Sequence, residues 1–129
     1  MADIDRFQQI LEELVVEIPE QLFRELNGGV MLLPETKIHT QGQGNNLYTM
    51  GEYCVQIPGL GRYIVIYYGS FIHVHGSSIT DRMLREEIRK TLAHELRHHM
   101  ESLSGVRDLE IIDQQRLNEY YKQNINNEN

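Results

Sequence analysis

Two histidines four residues apart, His94 and His98, bracket a glutamate in the run His94-Glu95-Leu96-Arg97-His98. On a helix, side chains four apart lie one above the other on the same face, so the two imidazoles can share one Zn²⁺. Glu95 then sits where it can take a proton from a water held by that ion. These residue types at this spacing predict hydrolysis by a metal-activated water. The competing reading is a solvated face, in which Glu87, Lys90, His94, His98 and Glu101 only keep one side of an amphipathic helix wet.

The spacing works only on a real helix, and the flanking sequence predicts one. Ser78 and Thr80 are candidate caps, and from Asp81 to Leu103 there is no Gly or Pro and little β-branching. Leu84, Ile88, Leu92, Leu96 and Leu103 recur at helical intervals and mark a core stripe, with His94, His98 and Glu101 on the other side. His99 projects about 100° around the helix from His98 and reads as a support behind the ligands or a surface residue. Gly105 supplies a stop.

Other elements must form the floor on which this helix rests. Phe7, Ile10, Leu11, Leu14, Val15 and Ile18 predict an amphipathic helix ending at Pro19. A second short helix is expected from Pro19 to Leu26, with Asn27-Gly28-Gly29 providing a left-handed cap. Val30 to Leu33 reads as a buried strand, and Thr40 to Asn46, rich in glycine and uncharged, as a surface loop. Tyr48 to Ile57 and Arg62 to Tyr68 flank Pro58-Gly59-Leu60-Gly61 and predict a hairpin. Its second arm, Tyr63-Ile64-Val65-Ile66-Tyr67-Tyr68, is the strongest strand in the chain. Phe71-Ile72-His73-Val74-His75-Gly76 is read as an exposed strand face rather than a second metal site, although histidines two apart on a strand share a side. After Gly105, Leu109, Ile111, Ile112, Leu117, Tyr120 and Tyr121 predict a closing helix, and residues 123–129 a frayed tail.

Bulk properties narrow the function classes. The chain has 129 residues, enough for one domain spanning 1–129 with its own core. Its formal net charge of −7 opposes nucleic acid as a partner, since phosphate binding needs a basic surface. No apolar run approaches a membrane span, and the first residues lack the basic start and apolar core of a secretory signal, so a cytoplasmic location is expected. The single cysteine, Cys54, lies in a strand-like apolar run and reads as a structural thiol.

The segment His94 to His99, followed by Met100-Glu101-Ser102-Leu103-Ser104-Gly105-Val106-Arg107-Asp108, resembles a small zincin-like metallopeptidase family of bacterial proteins. The likeness extends through Leu47-Tyr48-Thr49-Met50-Gly51-Glu52-Tyr53 and Tyr63 to Gly69, covering about Gly29 to Asp113. The resemblance implies a zinc site with His94 and His98 as ligands and Glu95 as general base. It also implies an extended peptide substrate paired with an edge strand beside the active helix.

Related zincins place a glycine three residues after the second histidine and an acidic third ligand three further on. Here Glu101 and Ser104 hold those places, and the Gly-x-x-Asp pattern comes at Gly105 to Asp108, about 6 Å of helical rise later. The family pattern therefore implies Asp108 as third ligand. Asp113 is an alternative if the chain reverses at Gly105. Glu101 is another, about 10 Å along the axis from His94. Glu119 is the last, by analogy with zincins completed from a later helix.

The expected architecture is α+β: amino-terminal helices, a small mostly antiparallel sheet, the long motif helix across it and a closing helix. The expected activity is zinc-dependent hydrolysis of peptide bonds in a peptide or protein substrate. Two rivals accompany it: a zincin-shaped metal-binding or interaction module with little or no turnover, and hydrolysis of a non-peptide substrate.

Overall fold

Strand β5 (Arg62–Tyr67) lies at the centre of the molecule, and its Ile64, Val65, Ile66 and Tyr67 are all buried. A strand covered on both faces needs a continuous apolar run, which is what this segment has. The structure, a computed structural model, describes residues 3–40, 46–55, 61–104, 118–120 and 122. Strand β1 (Gly29–Leu33) pairs parallel to β5 in the register Gly29 with Tyr63, and β4 (Gly51–Val55) pairs antiparallel on the other side in the register Gly51 with Ile66. The order is β1-β5-β4, which leaves β4 as an outer strand.

Strands β2 (Lys37–Thr40) and β3 (Asn46–Thr49) form a separate antiparallel pair. The expected long arm from Tyr48 is thus two strands in two sheets, joined through Met50. Each arm has its own partner: Thr49 pairs with Lys37, whereas the Met50 carbonyl accepts from the Tyr67 N–H at 2.9 Å.

Helix α1 (Ile4–Glu17) starts at Asp3, whose carboxylate accepts from the Arg6 N–H at 2.8 Å, and buries Phe7, Ile10, Leu11 and Leu14. The short helix expected over Pro19 to Leu26 is a single 3₁₀ turn, Glu20–Phe23. With Pro19 in front and only Leu22 buried within it, the segment gains too little to propagate a helix. The left-handed residue there is Glu25, at φ 63°, ahead of Gly29 at φ 69°.

The chain leaves β5 directly into helix α2 (Tyr68–His75), in place of the strand that the pattern over 71–76 predicts. Tyr68, Phe71 and Ile72 face the core at spacings of three and four, so the apparent alternation hid a helical face. Phe71 stacks edge-on against Phe7 at 5.0 Å, and Gly76 ends the helix at φ 84°. On a helix His73 and His75 diverge, one stacked on Tyr48 and the other 3.7 Å from Glu87.

Helix α3 (Asp81–Ser104) carries the motif. Thr80 caps it, accepting from the Met83 N–H at 3.2 Å. All five stripe residues, Leu84, Ile88, Leu92, Leu96 and Leu103, are buried, together with Ala93 and Met100. Ion pairs from Arg6 to Asp81, Glu13 to Arg85 and Glu17 to Arg89 run along the seam with α1, so the two helices point the same way. Exposed pairs contribute little energy and mainly set register. Residues 118–120 are helical and Tyr120 packs on the core. The rest of the expected closing helix, the Gly105 stop, the Pro58-Gly59-Leu60 turn and the tail lie outside the described residues.

Candidate metal centre

His94 and His98 project from one face of α3 and bring their Nε2 atoms to 3.1 Å from each other, with the rings nearly perpendicular at 87°. Two imidazole nitrogens each about 2.0–2.1 Å from a tetrahedral Zn²⁺ would stand about 3.3 Å apart, so the separation of this hydrogen-bonded pair is close to the one such an ion needs. Burial first, and then the neighbouring His98, hold the His94 pKa below its ordinary value, which favours the neutral, ligand-competent ring. The outer nitrogen of His98, Nδ1, faces Glu101 Oε1 at 3.6 Å, and Arg97 Nε lies 3.4 Å from the other Glu101 oxygen. Glu101 therefore backs the ring on the side away from His94.

Glu95 points inward between the histidines and β4 and is only 6% exposed. Burial raises its pKa most; the charge of Glu52 adds to the rise, while His98 and a hydrogen bond from the Tyr53 backbone oppose it. The antiparallel ladder explains this last contact. Because the Met50 carbonyl faces β5, alternation turns the backbone groups of Gly51 and Tyr53 outward, and the Tyr53 N–H meets the Glu95 carboxylate.

His99, expected behind the ligands or at the surface, is wholly buried. Its Nε2 lies 2.8 Å from the Arg24 carbonyl, which can only accept, so the proton is on Nε2. Nδ1 then accepts from the Tyr53 hydroxyl at 2.8 Å, and the tyrosine oxygen in turn accepts from Arg62 Nη1 at 3.2 Å. Arg62 also donates to Ser102 Oγ. Burial keeps the His99 pKa low, in keeping with a neutral ring bonded at both nitrogens.

His94, Glu95, His98, Glu101, Tyr53 and Ser102 line an open cleft of about 970 Å³ whose lining also includes His39 and Glu52. Lys37 Nζ lies 2.7 and 3.0 Å from the two Glu52 oxygens, and the Tyr67 hydroxyl donates to Oε1 at 2.8 Å. Lys37 and His39 share a face of β2, so this clamp holds His39 over the cleft. Neither His39 nor Glu52 emerged from the sequence. Neither carries a motif or spacing that would have marked it as a site residue.

Among the described residues, no three His, Cys, Asp or Glu side chains converge on a point that could hold a metal. Glu101 stands behind His98, and Glu119 is exposed in the helical stretch 118–120 and is not among the residues lining the cleft. Asp108 and Asp113 lie outside the described residues. No described helix is long and apolar enough to cross a membrane.

The family model described as zincin-like metallopeptidase matches residues 11–117. Among solved structures, a conserved hypothetical protein from Thermus thermophilus is similar at a TM-score of 0.69 and 36% identity, over 81% of this chain and 100% of that one. No curated protein matches.

Proposed function

Because the chain belongs to the zincin-like metallopeptidase family, we propose that it is a zinc-dependent peptidase of extended peptide or protein substrates. The observation that carries this reading is the 3.1 Å approach of the His94 and His98 Nε2 atoms beside a buried Glu95. When bound, zinc supplies a Lewis acid and a water acidified to a pKa of about 7. His94 and His98 hold it as neutral rings. Asp108 is the proposed third ligand, on the family's pattern.

The Glu95 carboxylate takes the proton of the attacking water and returns it to the leaving amine nitrogen. Its burial keeps bulk water from competing for that proton. Of the groups lining the cleft, the Tyr53 hydroxyl already donates to His99, and Ser102 Oγ is held as an acceptor by Arg62 but keeps its own proton, while His39 lines the cleft from a separate strand pair. His39 is the donor proposed for the oxygen as it becomes negative. The outward N–H and C=O of Gly51 on β4 suit main-chain pairing with an extended peptide, which binds with little regard to sequence. The acidic net charge favours peptide over nucleic acid, and the proposed site of action is the cytoplasm.

The test is zinc stoichiometry and turnover of a mixture of quenched fluorescent peptides. Glu95→Gln should keep stoichiometric zinc and lose about 10²–10⁴-fold in rate. His94→Ala and His98→Ala should lose both metal and turnover. Stoichiometric zinc without hydrolysis of any peptide would favour the second reading, a metal-binding module. That reading draws on the lack of a third converging ligand among the described residues. Single alanine replacements of Asp108, Asp113, Glu101 and Glu119 would identify the third ligand by the one that releases zinc.

A further inference from the structure

Toward the amino end of α3, about one turn from the metal cleft, a second cavity of about 500 Å³ opens. Its walls are Leu47, Tyr48, Met50, Phe71, Val74 and Thr91. Leu47 and Val74 are each 51% exposed, so aliphatic surface stands uncovered at its mouth. The charges at its rim are already occupied with each other: Glu87 lies 3.4 Å from Lys90 Nζ and 3.7 Å from His75 Nε2. The charged groups thus sit together at the rim, while Leu47, Met50, Phe71 and Val74 make the walls mostly apolar.

The cavity adjoins the cleft. Gly51 lines the cleft and Met50 the cavity, and a Cβ added at Gly51 would fall 2.6 Å from Thr91 Cγ2 and 3.4 Å from Glu95 Cγ. From the midpoint of His94 and His98 to Thr91 is five residues, about 7.5 Å along the helix axis. Two residues of an extended peptide span about 6.7 Å and present side chains to the same face. A peptide with its scissile carbonyl at the histidine pair would thus carry a side chain about two residues away to the cavity mouth.

We infer that this cavity is a specificity pocket for one apolar side chain, of the size of Leu, Met or Phe, about two residues from the cleaved bond. The inference rests on the peptidase reading, and its test separates the two. With the zinc-loaded full chain, peptides differing only by Leu, Phe, Gly, Asp or Lys at that distance on either side of a mapped bond should show Leu or Phe favoured over Gly by about 10-fold or more at one position. Val74→Glu and Leu47→Glu, at half-exposed positions that tolerate a charge, should collapse that preference.

On the Glu95→Gln protein, methyl resonances of Met50, Val74 and Thr91 should shift with the Leu peptide and stay put with the Gly peptide. Cleavage indifferent to this side chain, or a preference that survives both variants, overturns the pocket and leaves the peptidase reading standing. Methyl shifts with the Leu peptide, when the wild-type chain cleaves no peptide at all, overturn the peptidase reading and with it the pocket's part in cleavage specificity, leaving only an apolar binding site.

Discussion

A carboxyl group at 6% exposure is costly to ionise, and Glu95 is such a group. Burial raises its pKa above the usual carboxylate value, so in the metal-free fold its negative form opposes folding. The sign follows from linkage: with the folded pKa raised, proton binding favours the folded state at low pH, and this support is lost as pH rises through the folded pKa. Metal-free Glu95→Gln should therefore melt higher than wild type at pH 7, and the difference should vanish below the ordinary carboxylate pKa of 4.5. Thermal melts at pH 7 and pH 4 check this. An unchanged or lower melting temperature at pH 7 would show that the carboxylate is better solvated than its burial implies. At this scale the sequence singled out His94, Glu95 and His98, and the spacing accounts for the two histidines meeting on one face of the helix. It was silent on His39, because a lone histidine in a polar strand has no periodic signature.

At the scale of elements, the site depends on how closely β4 approaches α3, and Gly51 sets that distance. Gly51→Ala would push a methyl against Thr91 Cγ2 and crowd Ile66 and Glu95, at a cost of about 1–3 kcal/mol. Thr91→Ser removes the nearest atom, so the double variant should regain part of the loss in urea denaturation. Additive losses would place the strain elsewhere. Helix α3 was legible because its stripe of leucines and isoleucines has the period of a helix over its whole length. Strand β2 was not, since its one large apolar side chain, Ile38, is 49% exposed and buries no alternating face. Helix α2 reads as a strand because Ile72, Val74 and the two histidines alternate over a stretch too short for a strand and one helical turn to differ. Its start against the β1–β2 turn, where the Gly69 N–H donates to the Glu35 carbonyl at 3.1 Å, is a tertiary contact.

For the whole molecule, a metal that binds only the folded state adds to its stability. Free zinc at a thousand times its Kd should add about 4 kcal/mol. Wild type should therefore melt several degrees higher with zinc than with chelator, while His98→Ala shows no such gap. An equal gap in both proteins would mean that zinc binds elsewhere. The α+β architecture follows from apolar periodicity and turn residues, and its zincin-like character was carried by the family resemblance. The third ligand did not follow from periodicity, because carboxylates are common in this chain and only tertiary placement distinguishes one from another. His99 bears on how far the motif is portable. Its ring is pinned by the Arg24 carbonyl on one side and the Tyr53 hydroxyl on the other, so the tandem His98-His99 has one imidazole committed to architecture and one free for chemistry. Anyone grafting this helix onto a foreign scaffold would have to bring along a backbone oxygen from the amino-terminal third and a phenol from the outer strand. Without them, the inward ring would be left with both nitrogens unsatisfied in a dry interior, and the helix would lose its seat.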